Sequence, residues 1–394
     1  MNVKCKRLIL LVVFPIIFSC NSPSSDKIIT SLEINKLERV RVLLQAKKYF
    51  NEKPITVTAS QCERSASGIH DYYSEGDYWW PDSDNPEGAY IRRDGLTNPA
   101  NFNDHRLALR RLSLIVPAFT GAYKITGERK YALKAIEHLK AWFVNPETRM
   151  NPNLLFSQAI KGRSTGRGIG IIDTIHLVEV VKAMIFLDEK GILEKEILEG
   201  LRTWFSEYLN WLTTHPFGIA ERDNGNNHST CWAMQVAMFA SFTQDSEKMD
   251  FCRNFYKDIL LPQQVSENGS FPLELNRTKP YAYSLFNLDA MATLCEILST
   301  EKENLWEYKT PDQISLKKAM DFMFPFIQNK SDWPYPPDVM YFDEWPMRQP
   351  ALFFSALAFN NIDYSDLWKT LKTDSEEDEI IRNLFIRQPV LWID

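Results

Sequence analysis

The sequence predicts an all-α fold, an α/α toroid that forms an incomplete barrel of about five to seven helical hairpins. Apolar residues recur at helical spacing from about residue 104 onward. Strand-like alternation is scarce, and no glycine-rich phosphate loop follows a strand. Long helical segments joined by short turns are typical of antiparallel helix pairs, which bury their apolar faces against one another. Stacked pairs of this kind therefore explain the pattern better than an α/β fold.

The predicted helices follow one another in pairs. The first pair covers residues 104–119, with Asp104 as the N-cap, and residues 131–142. Further helices are predicted over residues 173–187, 193–212, 228–242, 249–261, 283–298, 315–324, 349–358 and 375–384. Pro117 lies inside the first helix, where we expect a kink, and we expect Pro325 to end the 315–324 helix.

Residues 1–19 have the features of an export signal. A positively charged start precedes an apolar run over residues 8–18, which is too short to span a bilayer. Ser19-Cys20 follows at once and resembles the lipobox of bacterial lipoproteins, in which the cysteine becomes acylated. We therefore predict an exported bacterial lipoprotein on the periplasmic or the cell-surface side of the outer membrane. It would touch the membrane only through lipid on Cys20, with residues 20–30 as a tether.

Composition and charge narrow the class of protein. With 44% hydrophobic residues, residues 31–394 are predicted to fold as one domain and to act as a monomer. The net charge of −6 means that an acidic ligand must be met by a local basic cluster. No basic stripe interleaved with aromatic residues is present, so nucleic acid is not a predicted partner. The cysteines have no CxxC spacing, and no metal or other cofactor is predicted.

Six motifs resemble those of one enzyme family. In chain order they are Tyr78-Trp79-Trp80-Pro81-Asp82, Tyr90-Ile91-Arg92-Arg93-Asp94-Gly95, Asn151-Pro152-Asn153, Gly166-Arg167-Gly168-Ile169-Gly170-Ile171-Ile172-Asp173, Asn226-Asn227-His228 and Tyr283-Ser284-Leu285-Phe286-Asn287-Leu288. The series, from about Tyr72 to about Tyr335, resembles the alginate lyase superfamily of α/α-toroid polysaccharide lyases. The resemblance is strongest to the branch that acts on alginate or glucuronan. It implies β-elimination on a polyuronate, either mannuronate-rich alginate or glucuronan.

Such an elimination needs a base for the C5 proton, an acid for the C4 oxygen and donors that neutralise the C6 carboxylate. By this resemblance, Asn227 and His228 match the family's neutralising Asn-His pair, and Tyr283, a few residues after Arg277, matches its catalytic tyrosine. On mannuronate both groups leave from the same face, and we expect Tyr283 to take both proton steps. Where they leave from opposite faces, His228 would be the base and Tyr283 the acid. The sequence leaves this choice open.

A tyrosine base near neutral pH needs its pKa lowered by about three units from its usual value near 10. We expect Arg277 and a protonated His228 to lower the pKa of Tyr283 together. Tyr281, two residues earlier, is the alternative catalytic tyrosine.

Arginine, aromatic and amide side chains in the loops are predicted to bind the substrate. Arginine pairs with carboxylates at two points, and aromatic rings form platforms for sugars. The predicted binding residues are Trp80, Arg92, Arg93, Asn153, Gln158, Arg163, Arg167, Tyr281, Trp333 and Tyr335.

Two other functions fit part of the pattern. A glycoside hydrolase on the same toroid scaffold, acting on uronate oligosaccharides, needs two carboxylic acids, one of them protonated. No clear pair of this kind is found among the candidate carboxylates, which are Asp94, Asp173, Glu274 and Glu344. We expect Asp173 to be a helix cap. A non-catalytic glycan-binding surface lipoprotein would not need a titratable group beside its neutralising residue. The proposed catalytic residues therefore favour the lyase; they are Asn227, His228, Arg277 and Tyr283.

Overall fold

The computed structural model describes residues 30–393, and most of them are helical. The helices are α1 Ser31–Tyr49, α2 Asp104–Thr126, α3 Arg129–Phe143, α4 Leu177–Glu189, α5 Lys195–Thr214, α6 Pro216–Arg222, α7 Asn227–Thr243, α8 Ser246–Phe255, α9 Leu261–Gln264, α10 Pro272–Leu275, α11 Pro280–Leu298, α12 Leu316–Gln328, α13 Pro350–Ala358, α14 Ile362–Thr370 and α15 Asp378–Asn383. The strands are β1 Tyr73–Glu75, β2 Trp79–Trp80, β3 Ile91–Arg92 and β4 Phe156–Ala159. None of the helices in the described part of the chain is long and apolar enough to cross a bilayer. The predicted signal peptide and Cys20 lie outside the described residues.

Helices α7 and α11 form the centre of the molecule. Helix α7 packs against α4, α5, α8 and α11, and α11 also packs against α13. Both helices carry small or apolar residues on almost every side, so they are buried all round. Helices α2 and α3 form an antiparallel pair outside this centre. The first turns of α7 and α11, which carry Asn227, His228 and Tyr283, are therefore held by the buried centre of the protein.

Helix α1 is not predicted from the sequence. Four of its residues are buried at four-residue spacing: Ile34, Glu38, Val42 and Ala46. One of these is charged, and leucines lie on the exposed side, so the apolar periodicity is blurred. Glu38 is tolerated because Arg41 and Arg348 each donate a hydrogen bond of 2.6 Å to its carboxylate.

The prediction that Pro325 ends its helix is wrong, because α12 continues to Gln328. Proline lacks the N–H group and crowds the preceding turn, but the residues after it can still complete a turn. The N–H group of Asn329 closes that turn by donating to the Pro325 carbonyl at 2.8 Å. Pro117 lies inside α2 as predicted, and Asp104 is the first helical residue rather than the cap.

Two long loop segments, residues 72–103 and 144–172, are joined by a short parallel sheet. Tyr73 of β1 pairs with Phe156 of β4, and the register shifts before the next pair. Strands β2 and β3 form a second, antiparallel sheet within the first of these segments. Both segments line a cavity that is also bordered by the first turns of α7 and α11.

Candidate active site

The cavity has a volume of about 410 Å³ and a basic lining. Its charged residues are five arginines and two aspartates: Arg92, Arg106, Arg167, Arg277, Arg382, Asp77 and Asp173. Because the whole chain carries a net charge of −6, this excess of positive charge is local. A concave basic cluster of this kind attracts acidic ligands.

Asn227 is the first residue of α7 and is almost fully buried. The helix is capped by Asn226, whose side chain accepts a bond of 3.0 Å from the N–H group of His228. The carboxylate of Glu274 in α10 accepts bonds from the backbone N–H and the Nδ2 of Asn227, at 2.8 and 2.7 Å. Burial raises the pKa of Glu274, although the bonds from Asn227 oppose this shift. The second hydrogen on Nδ2 stays available for a ligand.

His228 follows Asn227 and lines the cavity, with 12% of its side chain exposed. Its Nδ1 lies 2.6 Å from Oε1 of Glu221, which is fully buried in α6. No hydrogen bond reaches its Nε2 from any of residues 30–393. Nε2 is therefore the ring nitrogen that can take up a bond to a ligand in the cavity.

Tyr283 lies in the first turn of α11, and its hydroxyl is 2.8 Å from the hydroxyl of Tyr78. The guanidinium of Arg277 lies over its ring, 4.5 Å from the ring centre. Arg277 lowers the pKa of Tyr283, as expected, but the net shift is upward rather than downward. Burial and Tyr78 raise the pKa of Tyr283 well above its ordinary value, and Arg277 offsets only part of the shift. Tyr283 is thus protonated at neutral pH, which is the form of a proton donor.

Asp94 connects two arginines of the cavity. Its Oδ1 accepts bonds from Arg92 at 2.6 Å and from Arg277 at 3.2 Å. The hydroxyl of Thr278 donates to its Oδ2 at 3.1 Å. Although burial opposes the shift, Arg277 and Arg92 lower the pKa of Asp94. Because two guanidinium groups share one carboxylate, positive charge remains at this side of the cavity.

Two aspartates, Asp77 and Asp173, lie in a network of buried and partly buried charges. Arg106 donates to Asp77 at 2.6 Å and to Asp173 at 3.2 Å, and Arg382 forms a second ion pair with Asp77. Asp173 is not a helix cap as predicted, since it accepts bonds from side chains such as that of Ser74, at 2.6 Å. Arg106 and Arg382 lower the pKa of Asp77 although burial opposes this. Asp77 is therefore not the protonated acid that a hydrolase requires.

Arg167 has no carboxylate partner among the described residues. Its Nε donates to the carbonyl of Gln158 at 2.8 Å, and one NH2 group donates to Oε1 of the same residue at 3.1 Å. Its guanidinium also lies over Trp79, 5.8 Å from the ring centre. Burial lowers the pKa of Arg167 to about 10, so it stays charged at neutral pH.

The turn that follows Arg167 packs closely against β4. A side chain on Gly170 would lie 2.1 Å from Oγ of Ser157, so glycine is needed for this turn to lie against β4.

The structure brings half of the predicted site residues together. Those that line the cavity are Asn227, His228, Arg277, Tyr283, Arg92, Gln158 and Arg167. Those outside its lining are Trp80, Arg93, Asn153, Arg163, Tyr281, Trp333 and Tyr335. Arg163 is nevertheless close to it, because its guanidinium lies 5.3 Å from the ring centre of Trp79. Arg93 lies at the same distance from the ring of Trp80.

Packing explains why other aromatic candidates do not reach the cavity. Tyr281 is fully buried, and its hydroxyl donates to the Phe326 carbonyl at 3.0 Å. Its ring packs edge-to-face against Trp333, which in turn contacts Tyr335. The side chain of Asn153 bonds locally to the N–H group of Leu155. Of the two tyrosines at the start of α11, only Tyr283 borders the cavity.

Several residues of the site are not predicted from the sequence. Tyr78 and Trp79 belong to a motif that the sequence analysis singles out, so the motif is a signal that could have found them. Glu221 and Glu274 lie in short helices that carry no periodic pattern. Arg382 lies almost 100 residues after the last catalytic candidate, and nothing in the sequence connects it to them.

No metal centre is apparent in the part of the chain that the structure describes. No group of three or more His, Cys, Asp or Glu side chains within residues 30–393 could hold a metal ion. The cysteines in this range, Cys62, Cys231, Cys252 and Cys295, are all unpaired.

Comparison with known proteins identifies one family. The sequence profile described as alginate lyase matches residues 56–333. Among solved structures, an alginate lyase from Bacteroides ovatus is 27% identical, with a TM-score of 0.78 over 91% of this chain and 98% of that one. No curated protein sequence is significantly similar to the chain.

More distant structures share the fold. Alginate lyase A1-III from Sphingomonas species A1 is 14% identical, with a TM-score of 0.57 over 94% of this chain and 97% of that one. A histidine-to-alanine variant of A1-III, solved with a tetrasaccharide, is also 14% identical, with a TM-score of 0.61 over 94% and 96% of the two chains. These similarities confirm the predicted all-α toroid.

Proposed function

The chain belongs to the alginate lyase family and is a polysaccharide lyase, and we propose that it cleaves alginate by β-elimination in the cavity. One observation carries this proposal: Asn227, His228 and Tyr283 line the same basic cavity. They supply an amide donor, an imidazole nitrogen and a protonated hydroxyl, the three groups that elimination next to a uronate carboxylate needs.

Asn227 neutralises the substrate carboxylate in this proposal. Removal of the C5 proton moves negative charge onto the C6 carboxylate, and a well-placed donor is worth about 2.7–4 kcal/mol at such a group. Glu274 holds one hydrogen of the Asn227 amide, so the other is oriented before the substrate binds. Arg277 lies close enough to Tyr283 to add positive charge beside the reacting atoms.

Tyr283 is the acid that protonates the leaving oxygen. As the C4–O bond breaks, the electron pair of the C5–H bond forms the C4=C5 double bond, and the Tyr283 hydroxyl gives its proton to the oxygen. On guluronate the two groups leave from opposite faces, and Nε2 of His228 takes the C5 proton. On mannuronate they leave from the same face, and Tyr283 must lose its proton before it can act as the base. The raised pKa of Tyr283 opposes this step and favours its acid role.

The test is the ultraviolet absorbance of the purified protein incubated with poly-mannuronate, poly-guluronate, glucuronan or polygalacturonate. Absorbance rises because elimination leaves a double bond conjugated with the carboxylate. We expect a rise on an alginate polymer that falls about 100-fold or more in Tyr283→Phe, the usual scale for loss of general acid catalysis.

Tyr281→Phe is the matched control, because it removes a tyrosine hydroxyl two residues away that does not border the cavity. It should keep activity within a few-fold of the original. A rise in absorbance on glucuronan alone would mean that glucuronan, and not alginate, is the substrate. New reducing ends without any absorbance change would contradict elimination altogether.

We also propose that the enzyme is an exported lipoprotein anchored through Cys20, which agrees with the charged start and short apolar run before that residue. Cys20→Ala should move the protein from the membrane fraction to the soluble fraction of a bacterial host. An unchanged distribution would argue against the anchor. Size-exclusion chromatography of the chain without its leader tests the predicted monomer.

A further inference from the structure

We propose that Glu221 is a positioning residue for His228. It keeps a proton on Nδ1 of the imidazole and so leaves the lone pair of Nε2 to take the C5 proton. The inference rests on the proposed elimination and extends it, because it assigns the base on guluronate to an imidazole prepared by a carboxylate behind it.

The contact between the two residues is short and buried. Oε1 of Glu221 lies 2.6 Å from Nδ1 of His228, and Glu221 is fully buried. Its other oxygen, Oε2, has no partner within residues 30–393. A buried carboxylate is costly unless it is paired, and a single bond to an imidazole is an incomplete compensation. A buried group of this kind is more readily explained by a role in the site than by stability.

The chemistry of the two partners assigns the tautomer, because the 2.6 Å distance alone does not say which atom carries the hydrogen. An ionised carboxylate only accepts hydrogen bonds, so Nδ1 of His228 must carry a hydrogen. A neutral imidazole protonated on Nδ1 has its lone pair on Nε2, and Nε2 is the atom that remains without a partner in the cavity. When Nε2 takes a proton, the negative charge of Glu221 stabilises the resulting imidazolium, as a buried carboxylate does in other His-dependent sites.

The backbone around Glu221 holds it in place. Helix α6 ends only a few residues before α7, so Glu221 and His228 lie on neighbouring helices joined by a short turn. The hydroxyl of Ser229 accepts a bond of 2.7 Å from the N–H group of Gly225 in this turn and donates to the Glu221 carbonyl at 3.5 Å. At Gly218 an added Cβ would lie 2.0 Å from the Leu212 carbonyl, which shows how tightly α6 packs against the end of α5.

The kinetic test compares Glu221→Gln with the original protein on poly-guluronate and poly-mannuronate. Glutamine keeps the size of the side chain but removes its charge and can donate to Nδ1, so it no longer fixes the tautomer. We expect kcat on poly-guluronate to fall at least about tenfold, KM to stay the same, and kcat on poly-mannuronate to fall less. In a His228→Ala background, Glu221→Gln should have no further effect, because it acts through the imidazole.

Glu179→Gln is the matched control, since Glu179 is equally buried but bonds to the backbone N–H groups of Arg387 and Gln388. It should leave the ratio of the two kcat values unchanged even if it destabilises the fold. The proposal would be overturned if the effects of Glu221→Gln and His228→Ala simply added in the double variant. It would also be overturned if Glu221→Gln lowered kcat equally on poly-guluronate and poly-mannuronate.

A second measurement needs no turnover. Nitrogen NMR of the protein labelled at histidine, with His228 assigned from the spectrum of His228→Ala, reports which ring nitrogen carries the proton. We expect the Nδ1–H form in the original protein and a mixture in Glu221→Gln. A protein with the Nε2–H form would refute the positioning role directly. If no polymer were cleaved, elimination would fail while this measurement still decided the role of Glu221.

Discussion

Arg167 differs from the other four arginines of the cavity because no carboxylate within residues 30–393 neutralises it. Its position is fixed instead by two bonds to Gln158 and by the ring of Trp79. A charged, planar and pre-oriented guanidinium suits a carboxylate of a uronate next to the one that reacts. Because that neighbouring uronate does not react, Arg167 would bind its carboxylate equally strongly in the enzyme–substrate complex and in the transition state.

Arg167→Lys should therefore raise KM for alginate oligosaccharides roughly tenfold while kcat changes little, because uniform binding affects only KM. Lysine keeps the charge but loses the two-point fork and the stacking on Trp79. Arg129→Lys is the control, since Arg129 is exposed and does not line the cavity. Steady-state kinetics on oligosaccharides of defined length measure both. A loss confined to kcat would mean that Arg167 contacts the reacting atoms.

Individual residues also show where sequence reasoning reaches its limit. Tyr281 and Tyr283 lie together at the start of a helical run, and without the family resemblance the local pattern cannot choose between them. Residues two apart on a helix point to nearly opposite sides, so only the packing of α11 decides which side faces the cavity. That packing buries Tyr281 against Trp333 and leaves Tyr283 at the cavity wall. The protonation of Tyr283 was equally hidden, because Tyr78 approaches it from more than 200 residues away in the chain.

Helix α11 carries Tyr283, and its first turn is held by Asp338 rather than by a local cap. Lys279 at the N-cap makes no side-chain cap bond. Asp338 instead accepts bonds from the N–H groups of Tyr281 and Ala282, at 2.9 and 3.0 Å. Burial raises the pKa of Asp338 to about 6, although these two bonds oppose the shift. The Asp338 carboxylate thus holds the first turn of α11 from a distant loop.

Asp338→Ala should lower the free energy of unfolding by about 1–3 kcal/mol, because two buried N–H groups lose their acceptor. The raised pKa adds a pH signature. The pKa of an aspartate in the unfolded chain is near 3.9, and that of Asp338 in the folded protein is about 6. Between these two values the folded protein binds more protons than the unfolded chain. The stability that comes from protonation of Asp338 is therefore full at low pH and is lost as the pH rises through 6. Chemical denaturation across this range should show that slope only when Asp338 is present. Asp343→Ala, at a fully exposed aspartate, is the control, and an equal loss there would refute the assignment.

At the scale of elements, the sequence predicts the long helices α2, α3 and α5 because each has several turns of regular apolar spacing, and it predicts α7 and α11 because each is a mostly apolar segment of helical length. It does not predict α6 and α10, which have seven and four residues. Helices this short gain little stability from their own bonds and form because their neighbours hold them. These two helices supply Glu221 and Glu274, so the sequence does not place Glu221 behind His228 or Glu274 behind Asn227, for the same physical reason.

At the scale of the whole molecule, helix α15, which lies far from the motifs in the chain, forms part of the cavity wall. Arg382 of α15 reaches the cavity, donates to the Tyr78 hydroxyl at 3.4 Å and pairs with Asp77 and Glu379. This segment lies beyond residues 56–333, over which the family profile matches. Long-range ion pairs leave no periodic trace in a sequence, because any arginine can in principle meet any aspartate. The motifs thus locate the cavity wall that carries the proposed catalytic residues, whereas the ion pairs that join this wall to the rest of the protein follow only from the fold.

Arg382→Ala tests how strongly the ion pairs of α15 stabilise the protein. Removing one partner of a buried ion pair leaves an uncompensated charge, and such changes cost about 3–5 kcal/mol. Asp77 would keep Arg106 at 2.6 Å, which places the expected loss at the lower end of that range. Chemical denaturation at neutral pH measures it, with Lys372→Ala as the control because Lys372 makes only an exposed pair with Glu344. A loss as small as that of the control would show that α15 is held by its apolar contacts alone, and that Arg382 serves the cavity rather than the fold.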